Sequence, residues 1–287
     1  MSPHPGKLLM SVDVEDWFQV ENLQGGIPRE SWEGRELRVE RNVDLILELL
    51  RTGSSRSTFF VLGWVAERLP QVVRKVHAEG HEIACHGHGH GLVYKLSPAS
   101  FREDVSRSKR LLEDTTGAPV VGYRAPNFSI TDWAVDVLLE LGFRYDSSLF
   151  PTIAHDRYGK LVNLPSGDAG VLEIRPGFYE ILLSCLRMGG KNIPWAGGGY
   201  FRLIPYRLFR SGIGRIVRQT GLYSFYIHPW EFDPDQPRVE NIKSQYRLRH
   251  YTNLGKTEPR FKRLVKDFRF VPYRDALPLP GGTPARP

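Results

Sequence analysis

STFFVLGWVAERLPQVVRKVHAEGHEIACH, residues 57–86, decides the fold class. Its opening, STFFVLG (57–63), is aromatic and β-branched, the composition of a strand. LPQVVRKVHAEGHE (69–82) has Pro70 near its start and Gly80 near its end, the punctuation of a helix. EIACH (82–86) reads as a second strand. A strand followed by a helix and another strand is the unit of a parallel sheet, because two parallel strands need a crossover between them.

The same alternation extends in both directions. KLLMSVDV (7–14) is a short apolar strand ending in acids, and NVDLILELLRTG (42–53) has helical spacing with a glycine stop. SPASFREDVSRSKRLLEDTTG (97–117) predicts a helix. Ser97 is its cap and Pro98 lies in its first turn; Phe101, Val105 and Leu112 share a face, and Gly117 is the stop. VVGYRAP (120–126) is a strand entering a loop, TDWAVDVLLELG (131–142) a capped helix, and FRYDSSLF (143–150) a strand. Residues 151–200 are richer in Gly and Pro and less regular, and LYSFYIHPWEF (222–232) is a late strand. The alternation through residue 150 predicts an α/β protein built on a parallel sheet or barrel. There is no repeat or low-complexity segment, and PLPGGTPARP (278–287) is expected to fray.

With 287 residues, 41% hydrophobic and 25% charged, the chain can bury a core without needing disulfides or a structural metal to fold. Its two cysteines, Cys85 and Cys185, form no disulfide framework and fit a reducing compartment. The start carries no long apolar run, and no stretch reaches the ~18 apolar residues of a spanning helix, so a cytoplasmic location is expected. The net charge of +7 is concentrated at one end: residues 241–287 hold eleven Lys/Arg against three Asp/Glu. Such a tail can face anionic lipid, nucleic acid or an acidic substrate, or simply be a solvated surface. No nucleic-acid motif accompanies it.

Active sites of α/β sheets and barrels gather at the C-terminal ends of strands. Asp13, Glu15 and Asp16 follow the first strand. His86, His88 and His90 follow EIACH, Arg124 follows VVGY, Asp146 lies in FRYD, and His228 ends the late strand. In HGHGH an extended backbone would point all three imidazoles one way. In a helical turn only His86 and His90 share a face, and the interleaved glycines permit a tight turn. A zinc site needs two such nitrogens and a carboxylate, with an open position for water. His86 and His90 are therefore the better pair, with an acid of the first strand as third ligand. Trp230, two residues beyond His228, is a candidate wall for a sugar ring, and WAGGGYFR (195–202) a candidate substrate loop or plain turn.

SVDVEDWFQV, CHGHGHGLVY, GYRAPNFSIT, YDSSLFP and YIHPWEF occur in this order. As a set they resemble the NodB-like polysaccharide deacetylases, carbohydrate esterase family four. The likeness extends to the subgroup associated with exosortase and exopolysaccharide gene clusters, and covers roughly residues 8–275. RLRHYTNLGKTEPRFKRLVKDFRFVPYRD is similar to the C-terminal region of that subgroup. The resemblance implies a distorted (β/α) barrel, with a catalytic domain over 1–240 and a basic extension over 241–287 packed on it. It implies a hydrolase that removes N-acetyl groups from N-acetylhexosamine units of an exopolysaccharide or its lipid-linked precursor. One divalent metal, Zn²⁺ by preference, is implied as cofactor. By the same resemblance Asp13 matches the base, Arg124 the arginine that holds it and His228 the general acid. His86 and His90 match the metal histidines, and Asn127 sits where a backbone N–H binds the oxyanion. DVED departs from the family's adjacent acids, so Glu15 and Asp16 both stand as third ligand. A precursor substrate would place the protein at the inner membrane surface, with the basic extension meeting it. An allantoinase-like amidohydrolase and a non-catalytic carbohydrate-binding protein are the competing readings on the same fold.

Overall fold

A computed structural model describes residues 6–152, 158–162, 164–165 and 169–278. Most of the tail expected to fray lies outside them. In chain order the elements are β1 (Lys7–Val14), α1 (Val39–Thr52), β2 (Thr58–Val61), α2 (Gly63–Arg68), α3 (Pro70–Ala78) and β3 (Glu82–Cys85). Then come α4 (Pro98–Thr116), β4 (Gly122–Tyr123), α5 (Asp132–Glu140), β5 (Tyr145–Asp146), β6 (Val171–Arg175) and β7 (Phe178–Ile181). The chain continues with β8 (Cys185–Met188), β9 (Lys191–Pro194), α6 (Gly198–Leu203), α7 (Tyr206–Thr220), β10 (Leu222–Ile227), α8 (Ser244–Tyr251) and α9 (Thr257–Asp267).

The main sheet has the order β10-β1-β2-β3-β4-β5-β7-β6, parallel throughout except for the β6–β7 hairpin. It curls into a distorted (β/α) barrel. Where the ends approach, no strand ladder closes it among the described residues. Instead Ser224 N–H of β10 donates to Ser184 Oγ at 2.9 Å, and Ser224 Oγ to the Leu182 carbonyl at 2.7 Å.

Period two sorts the side chains of each strand. Leu9, Phe60, Ala84, Tyr145, Ile181 and Leu222 form an inner cluster. Their neighbours Met10, Val12, Phe59, Val61, Ile83 and Cys85 belong to the larger outer core, which also holds the buried apolar residues of the helices. β1 thus sends Leu9, Ser11 and Asp13 inward in succession, rising toward its C-terminal end. β4 sends in Gly122 and then Arg124. A Cβ at Gly122 would collide with the Tyr145 ring, so this strand needs a glycine below its arginine.

The four helices read from the sequence, α1, α3, α4 and α5, begin and end close to their expected places, whereas α2, α6, α7, α8 and α9 are absent from the sequence expectations. Ser97 Oγ accepts the Ser100 N–H, and Gly117 ends α4 at φ +66°. The cap expected at Thr131 is absent: α5 starts there, but no side-chain bond is made, and Thr131 Oγ1 is buried without a partner among the described residues. The strand expected over 143–150 shrinks to two residues, because its second half turns to bond the 124–128 loop and β7. The irregular middle contains β6–β9, two hairpins that the Gly- and Pro-rich composition conceals.

The basic C-terminal part forms α8 and α9, with α9 against α1. Its last described segment enters the barrel from the N-terminal side. Val271 pairs with Leu9, and Tyr273 is fully buried between Phe60 and Tyr145. No helix of the described residues is long and apolar enough to cross a membrane.

Candidate active site and metal centre

Beyond β1 the backbone turns so that Glu15 and Asp16 diverge. Glu15 Oε1 lies 3.1 Å from His86 Nε2 and 3.0 Å from His90 Nε2, and all three residues are buried. His86 donates from Nδ1 to the Arg124 carbonyl at 2.8 Å, which leaves the Nε2 lone pair facing Glu15. Burial pushes the Glu15 carboxyl pKa up. The charge of His90 foremost, with His86 and His228 behind it, outweighs burial and holds the net position well below the usual carboxylate range.

Asp16 is a correction to the sequence expectation. Its Oδ1 accepts the Trp17 N–H at 2.8 Å; its Oδ2 accepts the N–H of Arg38 at 2.8 Å and of Val39 at 3.0 Å. The carboxylate caps one turn and ties down the start of α1, so it has no face left for the histidines. Burial raises its pKa to about 6 against those three bonds.

The HGHGH loop is neither a strand nor a helical turn. It bends through Gly87 at φ +71° and His90 at φ +57°. Asp104 of α4 holds the bend, accepting His88 N–H at 2.7 Å and Gly89 N–H at 3.0 Å. His86 and His90 converge on Glu15, while His88 points toward Glu67, 3.7 Å from its Nε2. Neither ring nitrogen of His90 makes a well-directed hydrogen bond, although Nε2 is close to Glu15. Two donors that close, aimed at a shared point rather than at each other, fit a cation between them. Two imidazoles and a carboxylate suit Zn²⁺-type ions.

Across from this triad, Arg124 Nη1 donates to Asp13 Oδ1 and to Ser11 Oγ, both at 2.6 Å. Nε and Nη2 donate to the Ser147 carbonyl and hydroxyl at 2.8 and 2.9 Å. The guanidinium is fully buried and lies 4.1 Å over the Phe60 ring. Asn127 and Phe128 adopt left-handed backbone, at φ +51° and +57°. Asn127 lines the same cavity as Asp13, Glu15 and His90.

His228 Nε2 sits 4.0 Å from both Asp13 Oδ2 and Glu15 Oε1. Its Nδ1 is 3.0 Å from Glu231 Oε1, which also accepts the His228 N–H at 3.2 Å. Burial lowers the imidazole pKa. The bond to Glu231 and the charges of Glu15, Glu231 and Asp13 overcome it and raise the pKa to about 9. Glu231 is itself held by Arg202, Nε to Oε2 at 3.0 Å. Arg202 is anchored in turn on the carbonyls of Arg249, His250 and Thr252. Glu231 and Arg202 are absent from the sequence expectations. The i, i+3 spacing of His228 and Glu231 around Pro229 is the signal that could have exposed the first. Nothing local exposes the second.

Trp230 differs from its expected role. It lines the cavity, but its ring lies between His228, centroids 5.1 Å apart, and His250, 4.2 Å apart. Both contacts are stacked, so the indole braces the acid histidine. In the 195–202 run, Gly198 and Gly199 do line the cavity, and a Cβ at Gly198 would collide with the Glu231 carboxylate. The cavity measures about 340 Å³ and has aromatic walls at Phe128, Tyr158, Tyr200 and Tyr226.

Residues 34–145 match the polysaccharide deacetylase family model, and residues 147–278 match a domain of unknown function, DUF3473. A peptidoglycan-N-acetylglucosamine deacetylase of Bacillus cereus is 25% identical over 45% of this chain and 52% of its own. A peptidoglycan deacetylase of Helicobacter pylori is 27% identical over 38% of each chain. A chitooligosaccharide deacetylase of a Bradyrhizobium strain is 28% identical over 32% of this chain and 42% of its own. The chain thus spans about half or less of the length of these curated relatives. Among solved structures, a candidate polysaccharide deacetylase from Mycobacterium smegmatis superposes with a TM-score of 0.61 at 18% identity. It covers 96% of this chain and 91% of that one, a likeness of fold. The chain thus carries a polysaccharide deacetylase domain over residues 34–145, continued by DUF3473 over residues 147–278, both contributing to one sheet in which β10 pairs with β1, a strand that precedes both matches.

Proposed function

We propose that this chain is a metal-dependent hydrolase that removes N-acetyl groups from N-acetylhexosamine residues of a glycan. The observation that carries the reading is the convergence of three groups on one cavity: the Glu15–His86–His90 triad, the Arg124-bound Asp13, and His228 backed by Glu231. The names of the relatives agree with it.

Glu15, His86 and His90 would hold the cation. When bound, it would supply Lewis-acid polarisation of the acyl oxygen and make a water easier to ionise. Asp13 takes the proton from the attacking water as general base. Arg124 orients its carboxylate, and the second oxygen, Oδ2, is left toward His228 and the cavity. His228 carries a proton at neutral pH and delivers it from Nε2 to the departing amine nitrogen. Glu231 accepts from Nδ1, which fixes the ring with Nε2 facing the cavity. The Asn127 N–H is assigned to the oxyanion.

We extend the proposal to Zn²⁺ as the ion and to an exopolysaccharide, or its lipid-linked precursor, as the substrate. The basic C-terminal part supports the second step, with Lys243, Arg247, Lys262, Arg263 and Lys266 exposed on α8, α9 and the residue before α8. These side chains could meet a pyrophosphate carrier or anionic lipid at the cytoplasmic face of a membrane. Binding to vesicles with and without anionic lipid tests that step. Unchanged binding at low salt after several of these residues are neutralised removes it.

The main test is metal content together with acetate release from N-acetylglucosamine oligomers. The expected result is about one ion per chain, lost with activity in His86→Ala/His90→Ala. A wild-type protein that takes up no ion after reconstitution refutes the reading.

A further inference from the structure

Asp146 and Glu180 face each other in register on the neighbouring strands β5 and β7, and both are fully buried. Neither lines the cavity. Their carboxyl groups lie close enough for each to act on the other's titration. Glu180 Oε1 accepts the N–H of Ser148 at 3.0 Å and of Leu149 at 2.7 Å. Asp146 Oδ1 accepts the Ser148 hydroxyl at 2.6 Å. Among the described residues Asp146 Oδ2 and Glu180 Oε2 have no hydrogen-bond partner. Two carboxylates cannot both stay ionised in one buried site. Burial, then the neighbouring Asp146 charge, raises the Glu180 carboxyl well above the usual carboxylate range.

What this pair grips is the Ser147–Ser148 dipeptide. Ser148 Oγ, its proton committed to Asp146, accepts the Ala125 N–H at 2.7 Å. Ser147 accepts two bonds from Arg124, through its carbonyl and its hydroxyl, and that hydroxyl donates on to the Ile181 carbonyl at 2.8 Å. The dipeptide therefore sets the pose of Arg124, and so of Asp13. It also sets the start of the Ala125–Asn127 loop.

We infer that Asp146 and Glu180 are positioning residues for the deacetylation reaction: through their bonds to Ser148 and Leu149 they lock the Ser147–Ser148 dipeptide and thereby align Arg124 and the 125–127 loop. The inference rests on the deacetylase reading for its kinetic arm only.

The variants are made in the full-length, metal-loaded chain and assayed on an N-acetylglucosamine tetramer. Backbone hydrogen exchange at Ala125 is read in parallel. Glu180→Gln keeps the accepting oxygen and offers an N–H to Asp146; kcat is expected to stay within about threefold of wild type, the loss of well under one neutral hydrogen bond. Glu180→Leu keeps the volume and loses both bonds. Its kcat is expected to fall about 100-fold, the scale of a small misplacement at the reacting centre, with KM and metal content unchanged. Ala125 exchange should speed up about tenfold in the same variant. Ser148→Ala guards against a Glu180→Leu protein that does not fold; it cuts only the link from the pair to Ala125 and should lower kcat by about tenfold at constant KM.

Normal kcat in Glu180→Leu or Ser148→Ala overturns the inference. So does a Glu180→Gln protein as impaired as Glu180→Leu, because the oxygen that accepts from Ser148 and Leu149 would then not be what holds the dipeptide. If wild-type protein releases no acetate, the deacetylase reading fails on its own, and Ala125 exchange still decides whether the pair holds the loop.

Discussion

Arg124 Nη1 meets Asp13 Oδ1 at 2.6 Å across the barrel interior, joining β4 to β1 over the two strands between them. Both side chains are dry, at 0% and 2% exposure, so each is the other's main source of charge compensation. Removing one partner of such a pair leaves a buried ion uncompensated, at a cost of about 3–5 kcal/mol. Arg124→Met should lower stability by that order and lower kcat by about 100-fold as Asp13 loses its orientation. Arg124→Lys restores the charge without the bonds to Ser147 and should recover stability more than activity. Chemical denaturation and steady-state kinetics on the two variants check this; equal recovery of both properties contradicts it.

The acids after β1 give a second test, because the structure separates them by function. Glu15→Gln should lose the ion and keep the fold. Asp16→Asn should keep the ion and lose about 1–2 kcal/mol, since a carboxamide accepts on one oxygen where the carboxylate uses two. Metal analysis and thermal unfolding of the pair decide it. Metal loss in Asp16→Asn would return that residue to the ligand set.

How far the sequence carries this separation is instructive. Period two in KLLMSVDV puts Asp13 on the same face as Leu9 and Ser11. The four-residue spacing in HGHGH favours His86 and His90 over His88, though through a helical turn that the loop, bent at Gly87 and His90, does not adopt. Neither reaches past the end of the strand. Whether Glu15 or Asp16 faces the histidines depends on the turn taken after Val14, and that turn is set by the backbone of Arg38 and Val39, which lie more than twenty positions on. Arg202 is hidden for the same reason. Its partners Glu231, His250 and Thr252 come from distant segments, and an arginine in YFRL looks like any surface cation. Trp230 misleads for a third reason: an aromatic near a strand end predicts a flat exposed face, but the second imidazole that covers it, His250, comes from α8.

The pH profile follows from His228. Its folded pKa is raised from 6.5 to about 9, with burial opposing and Glu231 foremost among the raising contacts. A raised pKa contributes stability that is complete below 6.5 and is lost as the pH rises through about 9. The acid form of the imidazole disappears as it titrates, so kcat/KM should fall on the alkaline side. Glu231→Gln removes the foremost raising contact, and the alkaline limb should move toward neutrality. A limb that does not move would separate that limb from His228.

Gly198 tests the same histidine from the loop opposite. It opens α6, and a Cβ there would overlap both carboxylate oxygens of Glu231, whereas at Gly199 a Cβ meets nothing within 4 Å. Neither glycine has positive φ, so alanine is acceptable to the backbone at both positions and adds helix propensity, worth up to about 1 kcal/mol. Gly199→Ala should therefore keep or raise the melting temperature and leave the alkaline limb in place. Gly198→Ala should displace Glu231 from His228 and Arg202 and carry the limb downward, as Glu231→Gln does. Because these two effects act on one residue, combining Gly198→Ala with Glu231→Gln should add little to either alone. Full additivity of the two shifts would show that Gly198 acts on the cavity by another route.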